Sequence, residues 1–159
     1  MSPSHGQFRT GPHGFTLLEL ILVLAIAAIA AAVAVPNLQP AMVNAQLRAA
    51  TQDVASALRH TRGQALSLGR EAEFVLNVNR HFYRVVGRSK PYPLPDSVKL
   101  SLFTADFLQS EGQGSIVFYP DGSATGGRIT LKGAGKIRLV DVNWLTGAVV
   151  VREETDEKP

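Results

Sequence analysis

The chain contains no cysteine. A disulfide framework, a thiolate metal site and a thiol nucleophile are therefore excluded. Its redox compartment is left open, an oxidising one included. A basic block is also missing. The net charge is +3 over 159 residues, with 16 Lys and Arg against 13 Asp and Glu, and the two signs are interspersed. Phosphate binding favours Lys and Arg gathered on one face, so this distribution argues against a nucleic-acid partner. No internal repeat occurs, and no low-complexity tract beyond an Ala-rich stretch near the N terminus.

Catalytic constellations are absent as well. Acid–base or nucleophilic chemistry needs a base beside a nucleophile or a pair of tuned carboxylates. His5 and His13 fall near the N terminus, His60 and His81 stand apart, and neither of the latter accompanies Ser and Asp at a telling spacing. No two histidines have metal-ligand spacing. Gly133-Ala134-Gly135 lacks the strand-to-helix context of a phosphate loop. Asp121-Gly122-Ser123 offers one acid where calcium typically takes 6–8 oxygens, so it reads as a tight turn. No catalytic residue, metal, cofactor or small-molecule substrate is expected.

What is present is unevenly distributed. Residues 1–14 are rich in Gly, Pro and Ser, with Arg9 the one firmly charged side chain; such a segment cannot form a core and should be disordered. Residues 15–35 are almost wholly apolar. A bilayer core needs a helix of ~20 apolar residues, which this run supplies, and Leu and Ala favour helix. Glu19 is the anomaly, because an unpaired charge in hydrocarbon costs on the order of 3 kcal/mol on insertion scales. The run admits other readings: a secretory signal cut after Ala32-Val33-Ala34, a plain anchor, or a buried soluble helix.

Gly14-Phe15-Thr16-Leu17-Leu18-Glu19 followed by that run resembles the processing signal of type IV pilins and type II secretion pseudopilins. It combines a cleavage-site Gly, an aromatic at the new terminus, an acid four residues on and a spanning helix. The resemblance implies cleavage between Gly14 and Phe15 by a prepilin peptidase on the cytoplasmic side, and methylation of the Phe15 amine. Cleavage creates an α-amino cation that Glu19 of a neighbouring subunit can pair, so that each charge compensates the other in a low-dielectric filament. A carboxylate near a helix N-terminus is also favoured by the dipole.

Pro36 and Pro40 interrupt the pattern, and a bend is expected at Pro36 because proline removes a helical hydrogen bond. Helical periodicity resumes with Val43, Leu47, Ala50, Val54, Leu58, Thr61, Ala65 and Leu68 on one stripe. Arg48, Gln52, Arg59 and Arg62 fall opposite and read as a solvated face. Gly69 reads as the C-terminal cap.

Beyond it the pattern is that of strands. Segments 72–78 and 81–86 flank Asn79-Arg80 as a hairpin. Residues 91–96 form a proline-stiffened loop. Further strands are expected at 98–103, 115–119, 128–131, 136–142 and 148–151, separated by Gly-rich turn chemistry, with a polar loop at 105–114. Trp144 reads as a core or sheet-packing residue. Many short strands after one long helix indicate an α+β protein with a β-sandwich.

Within this region the segment from Phe118 through Asp121, Gly122, Gly126 and Gly127 to Ile129 is similar to the signature of the minor pseudopilin H family of type II secretion. Residues 142–149 resemble that family's closing strand pair, with Asn143 where Asp is expected before Trp144. Residues 58–65 resemble its stalk end. The resemblance implies a type IV pilin-like fold, a long N-terminal helix packed on an antiparallel β-sandwich. It divides the chain into a leader (1–14), a transmembrane and assembly helix (15–35), an amphipathic stalk (36–69), a periplasmic domain (70–151) and a charged tail (152–159). The implied function is that of a structural subunit near the tip of the periplasmic pseudopilus, which drives export of folded proteins across the outer membrane. The implied location is the bacterial inner membrane, single-pass, and the implied partners are major and minor pseudopilins and the prepilin peptidase. A minor type IV pilin engaged in pilus assembly or DNA uptake is the alternative; the acidic tail, which repels phosphate, argues against it.

Overall fold

Helix α1 (Leu17–Leu68) runs for 52 residues. Eight strands follow: β1 (Ala72–Asn77), β2 (Phe82–Val85), β3 (Tyr92–Pro93), β4 (Lys99–Phe103), β5 (Gln113–Phe118), β6 (Gly127–Gly133), β7 (Lys136–Val142) and β8 (Val149–Thr155). The computed structural model describes residues 15–87, 90–104 and 112–155, with side chains described except at 33–38 and 155. The chain divides into two units, Met1–Leu38 and Gln39–Pro159.

The larger unit is built on the periodic stripe. Leu47, Ala50, Val54, Leu58 and Ala65 are buried, so α1 presents apolar side chains every three or four residues to the strands. Thr51 and Thr61 join this face because their hydroxyls donate back to the carbonyls of Leu47 and Ala57, at 2.7 and 2.8 Å. That contact satisfies a buried hydroxyl without a tertiary partner. The stripe ends earlier than its spacing predicts, since Leu68 is exposed.

Two four-stranded antiparallel sheets complete the core, in the orders β3-β2-β1-β5 and β4-β6-β7-β8. Phe74, Leu76, Ile116 and Phe118 of the first sheet and Ile129, Leu131, Val140 and Val142 of the second form one apolar cluster with the helix. Alternation along β1 and β6 places these residues on one face of each strand. Tyr83 stacks between Phe74 and Tyr92, with centroid separations of 5.5 and 5.2 Å.

Local chemistry shifts several expected strand limits. Val78 and His81 belong to the hairpin turn, not to its strands: Asn77 Oδ1 accepts the Arg80 N–H at 2.7 Å, and His81 adopts φ 49°. Tyr92-Pro93, expected in a loop, pairs with β2 as an edge strand, a position where proline's missing N–H is tolerated. β8 continues past Val151 to Thr155. Its charged residues are tied to β7: Arg138 pairs with Glu153, and Arg152 lies 3.6 Å from Asp141.

The N-terminal processing motif and the signature crossover

Thr16 stands immediately before α1, and its Oγ1 accepts the Glu19 N–H at 3.2 Å. Thr16 is thus the N-cap of α1, and its hydroxyl satisfies an orphan donor of the first turn. A Thr directly before the apolar run is the sequence signal of this cap. Phe15 is 84% exposed, and Leu17, Leu18, Leu20, Ile21, Leu22, Val23, Leu24, Ile26 and Ile29 are all exposed. Glu19 is exposed among them. Gly14 lies outside the described residues, as does the side chain of Pro36. Among the described residues no helix is long and apolar enough to cross a membrane; side chains of the apolar run are described only as far as Ala32.

The segment between β5 and β6 carries the other set of singled-out residues and crosses from one sheet to the other. Asp121 Oδ1 accepts the Ser123 N–H at 2.9 Å and its hydroxyl at 2.6 Å. These two donors hold the Asp121 pKa below its ordinary value. Gly122 N–H closes the turn on the Tyr119 carbonyl at 3.0 Å. Thr125 N–H returns to Val117 O at 2.9 Å, and Ala124 N–H donates to Trp144 O at 2.8 Å. Thr104 Oγ1 lies 3.2 Å from Ser115 O and 3.1 Å from Gly126 O. Gly126 is at φ 77°, and a Cβ there would lie 3.0 Å from Trp144 Cβ, so a side chain would meet both backbone strain and a neighbour. Gly127 then opens β6 opposite Val142. Asp121, Gly122, Gly126 and Gly127 thus lie in one crossover whose hydrogen bonds reach both sheets and the β7–β8 turn.

A GspH family model, described as type II transport protein GspH, matches residues 50–147, and a prokaryotic N-terminal methylation motif matches residues 9–35. The chain is 35% identical over 137 residues to the type II secretion system protein H of Xanthomonas campestris pv. campestris, covering 86% of this chain and 80% of that one. The chain belongs to the GspH family. Its fold is that of minor pilins and pseudopilins. The type IV minor pilin FimU of Pseudomonas aeruginosa superposes with a TM-score of 0.53 at 11% identity, over 72% of this chain and 92% of that one. The minor pseudopilin EpsH from the type 2 secretion system of Vibrio cholerae superposes with a TM-score of 0.52 at 9% identity, over 71% and 99%.

Within this GspH-family fold, two expectations are corrected. Trp144 is 66% exposed and Leu145 64% exposed, so Trp144 is not a core residue. The β7–β8 turn is shaped by Asn143, whose Oδ1 accepts the N–H groups of Leu145 and Thr146 at 2.9 and 3.0 Å, and the indole is carried outward. Asn143 thus supplies, as a neutral amide oxygen, an acceptor at the position where Asp is expected. The arginine face is also not wholly solvated. Arg59 Nη2 donates to Val149 O at 3.3 Å, and half-buried Arg62 donates through Nε to Gly122 O at 3.4 Å. Those acceptors lie far along the chain, so helical spacing carried no signal of them.

His60 lines a groove with Asp53, Ser56, Tyr83 and Tyr92. His81 Nδ1 lies 3.4 Å from Pro95 O and 4.0 Å from Asp96. Among the described residues no three His, Cys, Asp or Glu side chains converge to hold a metal.

Proposed function

We propose that this chain is a minor subunit of the type II secretion pseudopilus, near its tip, cut after Gly14 by a prepilin peptidase and methylated on Phe15. In this reading residues 15–35 anchor the chain in the bacterial inner membrane and pack among neighbouring pseudopilins. Residues 36–69 form the stalk, bent at Pro36, and 70–151 the periplasmic domain. The role is structural, with no catalytic step of its own.

The observation that carries the reading is the first part of α1. Its apolar side chains are exposed all around the helix, while the larger unit closes a core of its own. Such a surface needs lipid or other apolar helices around it. Glu19 needs a cation in the same surroundings, and a free Phe15 amine on an adjacent subunit is the group that processing would create. The family membership and the methylation motif support the same reading.

Mass spectrometry of the membrane-extracted protein tests it. The expected mature chain begins at N-methylated Phe15. A terminus at Val35 would mean an ordinary signal peptide and would overturn the proposal.

A further inference from the structure

Asp53, Ser56, Ala57 and His60 follow one another at steps of three, one and three, which puts them on one face of α1. Between that face and the β2–β3 side of the first sheet lies the groove of Asp53 and His60, about 230 Å³ in volume. Its far wall is aromatic. The rings of Phe74, Tyr83 and Tyr92 form one stack across β1, β2 and β3, with Tyr83 in the middle. Tyr92 ends that stack on the edge strand of the sheet and lines the groove. The face of such a ring is electronegative and attracts a cation.

The charge of the groove has the same sign. Of the described residues that line it, Asp53 alone carries a carboxylate and none is Lys or Arg. Among the described residues no cation stands within ion-pair distance of Asp53. The arginines that neighbour the groove in sequence are engaged elsewhere. Arg59 donates to Val149 O, and Arg84 lies 5.9 Å from the centre of the Phe82 ring. Beside Asp53, the Ser56 hydroxyl and a ring nitrogen of His60 can also accept hydrogen bonds. Ala57 and Val85 supply apolar wall.

We propose that this groove receives an arginine side chain of a protein partner. The guanidinium pairs with Asp53 and stacks on Tyr92, its remaining N–H groups donate to Ser56 and His60, and its aliphatic stem lies along Ala57 and Val85. Guanidinium is planar, carries five donors and no acceptor, and stacks on aromatic faces. A lysine ammonium is a compact, strongly hydrated point charge with three donors, a poorer match to a ring and several acceptors. An apolar side chain would cover the Asp53 carboxylate without a counter-charge, which is costly. An acidic one would meet it with repulsion. The inference rests on the groove and not on the filament reading, so either can fail without the other.

The test uses the full-length chain in a nonionic maltoside detergent and calorimetric titration at low salt with a blocked Gly-Arg-Gly peptide. Its citrulline counterpart keeps the shape and removes the charge. The expected result is saturable binding, with the arginine peptide about fivefold or more tighter than the citrulline one, as for an exposed ion pair and a cation–π contact together. Asp53→Asn should cut that preference about threefold. Tyr92→Leu should cut it by about as much, and Tyr92→Phe, which keeps the ring, should leave it in place. Asp53 is exposed, and an unchanged thermal melt of Asp53→Asn checks that the fold is kept, so the test stands even if Tyr92→Leu fails to fold. No saturation at millimolar peptide, equal binding of the two peptides, or an undiminished preference in folded Asp53→Asn overturns the proposal. Tighter binding of a blocked Gly-Leu-Gly peptide also overturns it, since the groove would then serve an apolar chain.

Discussion

Leu24 and Leu58 belong to the same helix, yet Leu24 is 61% exposed and Leu58 is 0% exposed. Around Leu24 every turn is apolar on all sides, and the described residues of the smaller unit provide no second layer. Around Leu58 the apolar positions form a stripe, with two sheets packed on it. A helix becomes part of a core when its apolar residues are confined to one face that strands can cover. A helix that is apolar all round must find its cover outside the folded domain. On the proposed reading the two parts of α1 report on different processes, assembly and folding, and substitutions should separate them.

The largest separation is expected at Gly14. On the proposed reading, Gly14→Leu should leave the uncut precursor in the membrane while the larger unit still folds, because that unit closes a core of its own. The intact mass of the extracted chain checks this; a normally trimmed product would break the link between the first part of α1 and processing.

Glu19→Val should come next. Removing a charge eases membrane insertion, so processing and folding should be unaffected. A neighbour's Phe15 ammonium would lose its partner in a low-dielectric filament, and incorporation should drop by roughly 100- to 1,000-fold, as for breaking a buried ion pair at the lower end of its cost. A subunit at a tip has fewer such neighbours, which lowers the effect toward partial. Co-purification with the other pseudopilins and a secretion assay provide the readout, and wild-type behaviour in both would remove the charge-pairing account.

The matched pair Leu58→Ala and Leu24→Ala sharpens the comparison on the folding side. Leu58→Ala empties a fully buried site and should destabilise the larger unit by about 2–5 kcal/mol. Leu24→Ala should change it by less than about 0.5 kcal/mol, as for a position outside the core. Thermal melts of the two variants decide the matter; equal shifts would mean that both stretches share one cooperative unit.

The smallest effect is expected at Asp121. Its pKa is lowered by the Ser123 hydroxyl and backbone N–H. The sign follows from linkage: the stabilisation is present above the unfolded pKa and is lost as pH falls through the lowered folded value. Denaturation of the wild type against Asp121→Asn should therefore diverge with pH only in the acidic carboxylate range. The divergence should be slight, since the group is exposed and screened. A difference that grows toward alkaline pH would contradict the assigned cause.

Much of the fold was legible beforehand because its signals are local. The step of three and four from Val43 to Ala65 marked the buried face, alternation marked β4, and turn residues between apolar segments marked the other strands. The processing motif is likewise a contiguous pattern that can be read without a fold. The limits were less legible. Leu68 continues the apolar step but extends beyond the covered part of the helix, and Tyr92-Pro93 becomes a strand only because β2 lies beside it. Trp144 reads as a core or sheet-packing residue but stands exposed, because the turn capped by Asn143 carries the indole outward.

By itself, the sequence determined where the chain is apolar on one side, where it is apolar all round, where glycine permits a turn and where an acid follows a small residue and an aromatic. Those features depend on the chemistry and spacing of near neighbours along the chain. Tertiary structure alone decided that Arg62 reaches Gly122, that the Asp121-to-Gly127 crossover ties both sheets to the β7–β8 turn, and that Asn44, Arg48, Lys136, Arg138 and Glu153 share one cleft. Their partners are separated by up to about a hundred residues, and it is the antiparallel register of β7 with β8, together with the packing of α1 on the sheets, that brings them within reach.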